Sequence, residues 1–530
     1  MEVSLVKRVR RLCPCEPGRF SVCTKETIMA TIPISEAKRK PLTSISARIS
    51  RYDELANAPF VGGYPTKESV AALGEEMLFQ RSVQSYLWAL PALNMYAMKE
   101  GSERAFGSGH NVLPVWKRRL NAKTLVTTPN FDVIYAMGYL DLGKDGPIVI
   151  EAPPGVQGIL NDFFQRPLRS EGEIDGQPWS GDVGLLGPDR GHGGKYLVLP
   201  PDFDQEPPKG HFTLRSRTYG VFVVWHGFFQ DPKQLDAPVK VMEQTRIYPL
   251  GKEATAKNMY FPDASGIPVN MLFPRDSSAF DMLARFIDSE YVDPADMDMR
   301  GMLAATGIIK GQRFAPDMRT RMILDRAARC AGRIGRYIPL EVTANMPGGK
   351  YYKDRQYING FPPGITPEFA APALSPTYTH LDTRSGFFTE AYSASPALAI
   401  NLPDAGAKYP CAFQDGDGEY LIGDRSYSMH LPAGIPVKLF WSVAIYEAET
   451  ASGLDNGQLF PSINAMDKPV TNSDGSIDIY FGPKSPGPNR NWLATVPGVG
   501  FFVILRLYGP TQAFYDQTWK PGDLEKVGRT

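Results

Sequence analysis

Two short runs concentrate side chains that can move protons. In TLVTTPNFDVIYAMGYLDL, residues 124–142, the turn Thr128-Pro129-Asn130 leads to Asp132 and then, inside an apolar stretch, to Tyr135. An amide, a carboxylate and a phenol gathered at one strand end suit a ligand pocket. The same residues also suit a plain turn, because Asn and Asp bond their own backbone and Pro fixes the approach. In the next apolar segment, GILNDFFQRPL, Asn161, Phe163 and Gln165 fall on one face of a strand, and Asp162, Phe164 and Arg166 on the other. Polar groups buried in such a run need partners, so Asp162 with Arg166 reads either as an ion pair or as part of a pocket. The chemistry open to this set is acid/base. Asp132 and Asp162 would exchange protons, Tyr135 would donate one, and Asn130 and Arg166 would orient the substrate or stabilise charge.

The other candidates stand alone. None of the six histidines forms an HxH or HxxxH pair. His226, in VVWHGFF, and His430, in SYSMHLP, lie on expected strands, where a lone histidine is more often structural than a base or metal ligand. In the C-terminal block Trp441, Tyr446, Arg425, Tyr427, Trp492, Arg506 and Trp519 are the large polar-tipped residues. Their tryptophans and tyrosines could line an aromatic or sugar-like site by stacking but read mostly as core, and Trp225 joins Trp441 as a platform in the binding alternative. Asp415-Gly416-Asp417-Gly418-Glu419 and the trio Asp293, Asp296, Asp298 do not continue into an EF-hand. The first reads as a hairpin turn and the second as a helix start. Cys13-Pro14-Cys15 has no second Cys/His pair at ligand spacing, so no metal site is expected. GxSxG, P-loop, GxGxxG and HExxH patterns are absent, which leaves chemistry without a cofactor as the expectation.

These residues must be held by a mixed set of elements. Phe79, Val83, Tyr86, Leu90, Leu93 and Ala97 recur at helical spacing between Thr66 and Gly101, with Pro91 expected to kink or split the helix. β-like runs follow at Val133–Leu140, Pro147–Glu151, Gln157–Phe164, Tyr196–Leu199 and Val221–Phe229. Ser278–Glu290, Asp296–Thr306 and Pro316–Tyr337 read as helices, with Pro316 in the first turn of the last. That helix carries Arg319, Arg321, Arg326, Arg329, Arg333 and Arg336, a solvated or acid-packed face rather than a phosphate ridge. Thr343–Pro376 reads as a long connection that runs over the surface or closes a site. Val437–Glu447 and Gly500–Tyr508 are apolar in both alternating phases, which predicts strands covered on both faces. Many short β runs between turn clusters favour sandwiches or a partly closed barrel.

At 530 residues the chain exceeds one ordinary core. Its 57 basic and 57 acidic residues give no global field for nucleic acid, and no apolar window is long enough for a membrane helix. Met1–Arg51 holds eleven Lys and Arg against four Glu and lacks a secretory apolar stretch, so it reads as a basic tail, with Met29 as an alternative start. Five cysteines make no disulfide framework and are compatible with a reducing compartment. A cytoplasmic location is expected, with periplasm or secretion as the alternative.

The C-terminal run YPCAFQDGDGEYLIGDRSYSMHLPAGIPVKLFWSVAIYEAETASGLDNGQLFPSINAMDKP, and DGSIDIYFGPKSPGPNRNWLATVPGVGFFVILRLYGPTQAFYDQTWKPGDLEKV after it, resembles the domain of unknown function numbered 1214. The Thr128-Pro129-Asn130-x-Asp132 run with Tyr135 resembles its tandem partner, numbered 1254. The resemblance brings no catalytic residues to transfer. The expected fold is mainly β with helical insertions: two β-sandwich or jelly-roll-like domains joined by a helical segment. The expected divisions are a tail over 1–50, a helix plus β-rich domain over 51–275, a helical connection over 276–345 and a β-sandwich over 346–530. The expected function is cofactor-free acid/base chemistry, such as hydrolysis, on a small organic substrate held by Asn130, Arg166, Trp225, His226 and Trp441. Noncatalytic carbohydrate or surface-ligand binding is the alternative, and self-association into a homo-oligomer is a further partner class.

Overall fold

The computed structural model of the chain describes residues 45–361 and 378–528. The Cys13-Pro14-Cys15 run, Met29 and most of the basic head lie outside these residues, as does much of the 343–376 connection. Residues up to Val70 form one unit, in which helix Ile45–Ala56 overlaps the expected tail and a small hairpin pairs Phe60–Val61 with Tyr64–Pro65. Residues from Ala71 onward form the second unit.

Strand alternation builds this second unit. Its N-terminal half carries two open sheets. One orders the strands Arg246–Pro249, Ile148–Ala152, Gly194–Leu199, Phe212–Arg215 and Arg169–Ser170, and the other orders Ile134–Asp141, Gly220–Gly227, Gln157–Asp162 and Asp182–Val183. Along Gly220–Gly227, Val221, Val223 and Trp225 point to the core between these sheets, while Phe222 and Val224 point the other way. The period of two divides the side chains between two interiors. The C-terminal half repeats the scheme. A sheet built on Tyr357–Asn359, Pro410–Ala412, Phe501–Tyr508, Trp441–Glu447 and Ser462–Asn464 faces one built on Asn491–Ala494, Ile477–Gly482, Tyr427–Leu431 and Leu524–Lys526. In Phe501–Tyr508 the odd positions enter that sandwich core, while Phe502, Ile504 and Tyr508 turn outward into the interior that Phe222 and Val224 also reach.

That shared interior decides the architecture. It gathers the second faces of both central sheets and the buried faces of three helices, Lys67–Phe106, Ser278–Ser289 and Met318–Tyr337. Strands Trp441–Glu447 and Phe501–Tyr508 are buried nearly end to end, as their two apolar phases require, although Leu439, just before the first, is exposed. The fold is mainly β with helical parts, and no sheet among the described residues closes into a barrel.

Three local expectations are corrected. The helix Lys67–Phe106 runs through Pro91 without a break. A proline strips the carbonyl four residues earlier of its helical partner, and here the Leu87 carbonyl accepts the Ser385 hydroxyl instead, with Trp88 O taking Arg384 Nη2. The strand from Gln157 ends at Asp162, because Gln165 adopts φ 60° and the Asp162 carboxylate accepts the Arg166 backbone N–H. Pro316 lies before the last long helix, whose N-cap is Asp317 accepting from Thr320 N. The arginines of that helix meet carboxylates: Arg319 with Glu75, Arg321 with Asp281, Arg329 with Asp325, Arg333 with Glu449 and Arg336 with Glu390. Among the described residues no helix is long and apolar enough to cross a membrane.

Candidate functional site

A cavity of about 560 Å³ opens where the two central sheets face one another. Tyr135, Gln157, Ile159, Val224 and His226 line it from the N-terminal sheet, and Cys411, Phe502, Ile504, Arg506 and Tyr508 from the C-terminal one. A further wall is helix Leu381–Glu390 with the segment that follows, including Glu390, Tyr392 and Ser395, and Asp182 lines the cavity beside the N-terminal strands. That segment is pinned by polar residues of the expected pocket strand. Asn161 Nδ2 donates to Ala394 O and Asn161 Oδ1 accepts from Ser393 Oγ, while Gln165 Oε1 accepts the Ser393 N–H and its amide donates to Pro91 O.

Three of the sequence candidates reach this cavity. Asn130 Oδ1 accepts the Asp132 N–H in a local turn, and its amide nitrogen donates to the Tyr508 hydroxyl, so it serves both the turn and the cavity. Tyr135 sits beside it, its hydroxyl accepting the Asn130 N–H at 3.3 Å. His226 lies across the strand from Tyr135, with ring centroids 5.0 Å apart, and burial lowers its pKa to about 4, so the imidazole is neutral at pH 7.

The other candidates lie elsewhere. Asp132 is 1% exposed, and its Oδ1 accepts from Arg119 Nη2 at 2.6 Å, Asn464 Nδ2 at 2.7 Å and Ser462 Oγ at 3.0 Å. Arg119 lies over the Phe460 ring and donates to Phe131 O. The carboxylate thus ties the N-terminal turn to a C-terminal strand and does not line the cavity. Asp162 accepts from Arg166 Nε at 2.6 Å, with Asp296 on the far side of the guanidinium, again away from the cavity. Trp225 is fully buried, donating to Thr245 Oγ1, and Trp441 belongs to the C-terminal sandwich core. Neither indole offers a stacking platform, because inward strand positions send large rings to the core. His430 pairs with Asp478 on the surface. The Asp415–Glu419 run is the expected hairpin turn, its Asp415 carboxylate accepting from the Asp417 and Glu419 N–H groups, with Gly418 at φ 80°. Among the described residues no cluster of His, Cys, Asp and Glu is arranged to hold a metal.

The cavity also draws on Glu390, Asp182 and Cys411, which no sequence motif marks as site residues, and on Arg506, which reads mostly as core in the sequence. Glu390 is 13% exposed, its Oε1 makes no hydrogen bond, and burial raises its pKa to about 7 against the pull of Arg336 at 3.2 Å and of Arg275. Asp182 is raised to about 7 by burial, Oδ2 accepting from Ala397 N while Oδ1 has no partner. Burial pushes the Cys411 thiol up to about 12, so no thiolate forms at neutral pH. Arg506 is 3% exposed and donates to Tyr446 Oη at 2.5 Å and to the Thr128 and Pro129 carbonyls. Its signal was present in the sequence, since it is the one charged residue of the apolar strand FFVILRLY. Asp182 and Glu390 carried none: Asp182 lies in a two-residue strand among turns, and Glu390 ends a helix whose sequence has no apolar periodicity.

Residues 110–249 match the family model described as DUF1254, and residues 406–512 match the one described as "Protein of unknown function (DUF1214)". The chain thus carries matches to both models in tandem. Within the tandem the cavity draws Tyr135 and His226 from the first matched region and Arg506 and Tyr508 from the second, with Glu390 and Tyr392 from the stretch between. The crystal structure of the VPA0106 protein of Vibrio parahaemolyticus is similar at 17% identity and TM-score 0.48, covering 85% of this chain and all of that one. An uncharacterised protein of Burkholderia cenocepacia is similar at 12% identity and TM-score 0.36, covering 90% of this chain and 98% of that one. Comparison with curated proteins gives no match.

Proposed function

We propose that this tandem is an enzyme that moves protons on a small, largely apolar organic molecule held in the cavity between its central sheets. One observation carries the reading. A single cavity has Glu390 and Asp182 in its wall, two buried carboxyls whose pKa values are raised to about 7, together with a neutral imidazole and several phenols. A carboxyl that titrates near neutrality is available both to accept and to release a proton, the condition for efficient acid/base catalysis. An apolar pocket with a few convergent polar groups and perturbed titratable residues is the physical form an active site takes. Hydrolysis of an ester-like bond and proton transfer at carbon both belong to this class. The acid/base roles fall on Glu390 and Asp182, with Tyr135 and His226 as hydrogen-bonding groups. Asp132 and Asp162 keep structural ones.

The test begins with thermal shifts against a broad metabolite, ester and glycoside panel, because a ligand bound only by the native state raises the melting temperature. Compounds that stabilise the protein are then assayed for turnover with wild type, Glu390→Gln and Asp182→Asn. A coherent set of stabilisers, turned over by wild type and at least 100-fold more slowly by one variant, supports the reading. Stabilisers that are never turned over, or turnover indifferent to both substitutions, overturns it.

A further inference from the structure

The phenols of the cavity have a property that the proton-transfer reading does not use. Tyr135, Tyr409 and Tyr508 all line it, and their electrostatic environments overlap, each lying in the field of Arg506. The Tyr135 hydroxyl accepts from Asn130 N and the Tyr508 hydroxyl from Asn130 Nδ2, so the oxygen of each is engaged as an acceptor while its proton has no acceptor among the described residues. The Tyr409 hydroxyl, also in the cavity wall, makes no hydrogen bond to the described residues, and the Tyr392 hydroxyl lies against that of Tyr135. Buried hydroxyls in folded proteins are almost always bonded. A corner with several unclaimed O–H donors suits a group that accepts.

The charge of the corner points the same way. Arg506 lies behind the phenols with carbonyl and phenol oxygens as its partners and no carboxylate in an ion pair. Asp132, whose field reaches Tyr135 and Tyr508, commits its Oδ1 to Arg119, Ser462 and Asn464, while its Oδ2 is buried without a partner. Burial holds the phenols protonated well above their usual range, which keeps them donors throughout neutral pH. Preorganised hydroxyl donors backed by a cation stabilise negative charge that develops on an oxygen placed among them.

We infer that the Tyr135, Tyr409 and Tyr508 corner is an oxyanion site, and that the substrate is an apolar molecule bearing a carbonyl oxygen that gains negative charge when held there. This deepens the proton-transfer reading and rests on it for the word substrate, but the anion site stands or falls on binding alone.

The probe is 4-nitrophenol, whose ionised form is a stable oxyanion on an apolar ring and absorbs at longer wavelength than the neutral form, with 4-nitrotoluene as the matched compound lacking the oxygen. Full-length protein is titrated with each near neutral pH. The expected results are a bound spectrum shifted toward the phenolate, binding at least tenfold tighter than that of 4-nitrotoluene, and affinity that rises along a series of increasingly acidic phenols. Tyr508→Phe and Tyr135→Phe are each expected to weaken phenolate binding about tenfold, the scale of one hydrogen bond to a charged group, while leaving 4-nitrotoluene binding in place. If Arg506→Gln fails to fold, these two conservative variants still decide the matter. A neutral bound spectrum, equal affinity for the two probes, or phenolate binding indifferent to both tyrosines overturns the oxyanion site. Phenolate binding that survives Glu390→Gln, with no turnover of any carbonyl compound by wild type, supports the oxyanion site and sinks the proton-transfer reading, so the two failures are distinguishable.

Discussion

Glu390 should make this protein less stable as the pH rises, and replacing it should reverse that. The residue ends helix Leu381–Glu390 with its side chain in the cavity wall and Arg336 as its nearest cation. Burial raises its pKa from 4.5 to about 7, the arginines offsetting only part of the cost of desolvating the charge. Between those two values the native state binds more protons than the unfolded chain, so its contribution to stability falls as pH climbs through the window and is constant above it. At about 1.36 kcal/mol per pH unit the shift is worth about 3 kcal/mol at pH 8, with little discount for solvent because the side chain is only 13% exposed. Glutamine resembles the protonated acid in shape and carries no charge. Glu390→Gln is therefore expected to be near neutral at about pH 5 and to stabilise the protein by up to ~3 kcal/mol at about pH 8. Asp182 and Glu290, whose pKa values burial also raises to about 7, tilt the wild-type curve the same way, so the difference between variant and wild type at the two pH values is the quantity to read. Urea unfolding followed by tryptophan fluorescence supplies it. A variant equally stable relative to wild type at both pH values, or one favoured at the lower pH, would refute the placement of an ionising carboxyl in that wall.

Three further outcomes follow from the packing. Asp132→Ala should cost about 3 to 5 kcal/mol, the scale for stranding one member of a buried ion pair, here Arg119 at 2.6 Å, and a melting temperature within a degree of wild type would contradict the role of Asp132 as a node between the two halves. Gly158→Ala should destabilise severely or abolish folding, because a Cβ there would overlap the Trp225 ring and the Val224 carbonyl; normal expression with unchanged unfolding would show that the strand is packed otherwise. Cys411, buried with its thiol pushed up to about 12, should resist iodoacetamide in the native protein near pH 8 and react in urea, and peptide mapping that finds it alkylated under native conditions would contradict its burial.

The sequence by itself determined the elements and their two-sidedness. Apolar runs placed five strands of the N-terminal half and two of the C-terminal half near their observed positions, while strands such as Phe212–Arg215 and Ile477–Gly482 went unread. The doubly apolar phases of Trp441–Glu447 and Phe501–Tyr508 required a covering on each face, which the two interiors provide. It also singled out the Thr128–Tyr135 turn, because proline and side-chain to backbone bonding act locally. Only the tertiary structure decided what covers the second face and what chemistry collects there. Pro91 stays inside a continuous helix because Ser385, about 300 residues away in the chain, takes the stranded carbonyl. Asp132 and Asp162 were legible as reactive types, and the local Asp162–Arg166 pair was one of two readings open in the sequence, but the Asn464 and Ser462 donors that hold Asp132 come from a distant segment. Glu390 and Asp182 sit in stretches with no periodicity, and they become reactive through burial alone, which is a property of the assembled interior and not of any window of sequence.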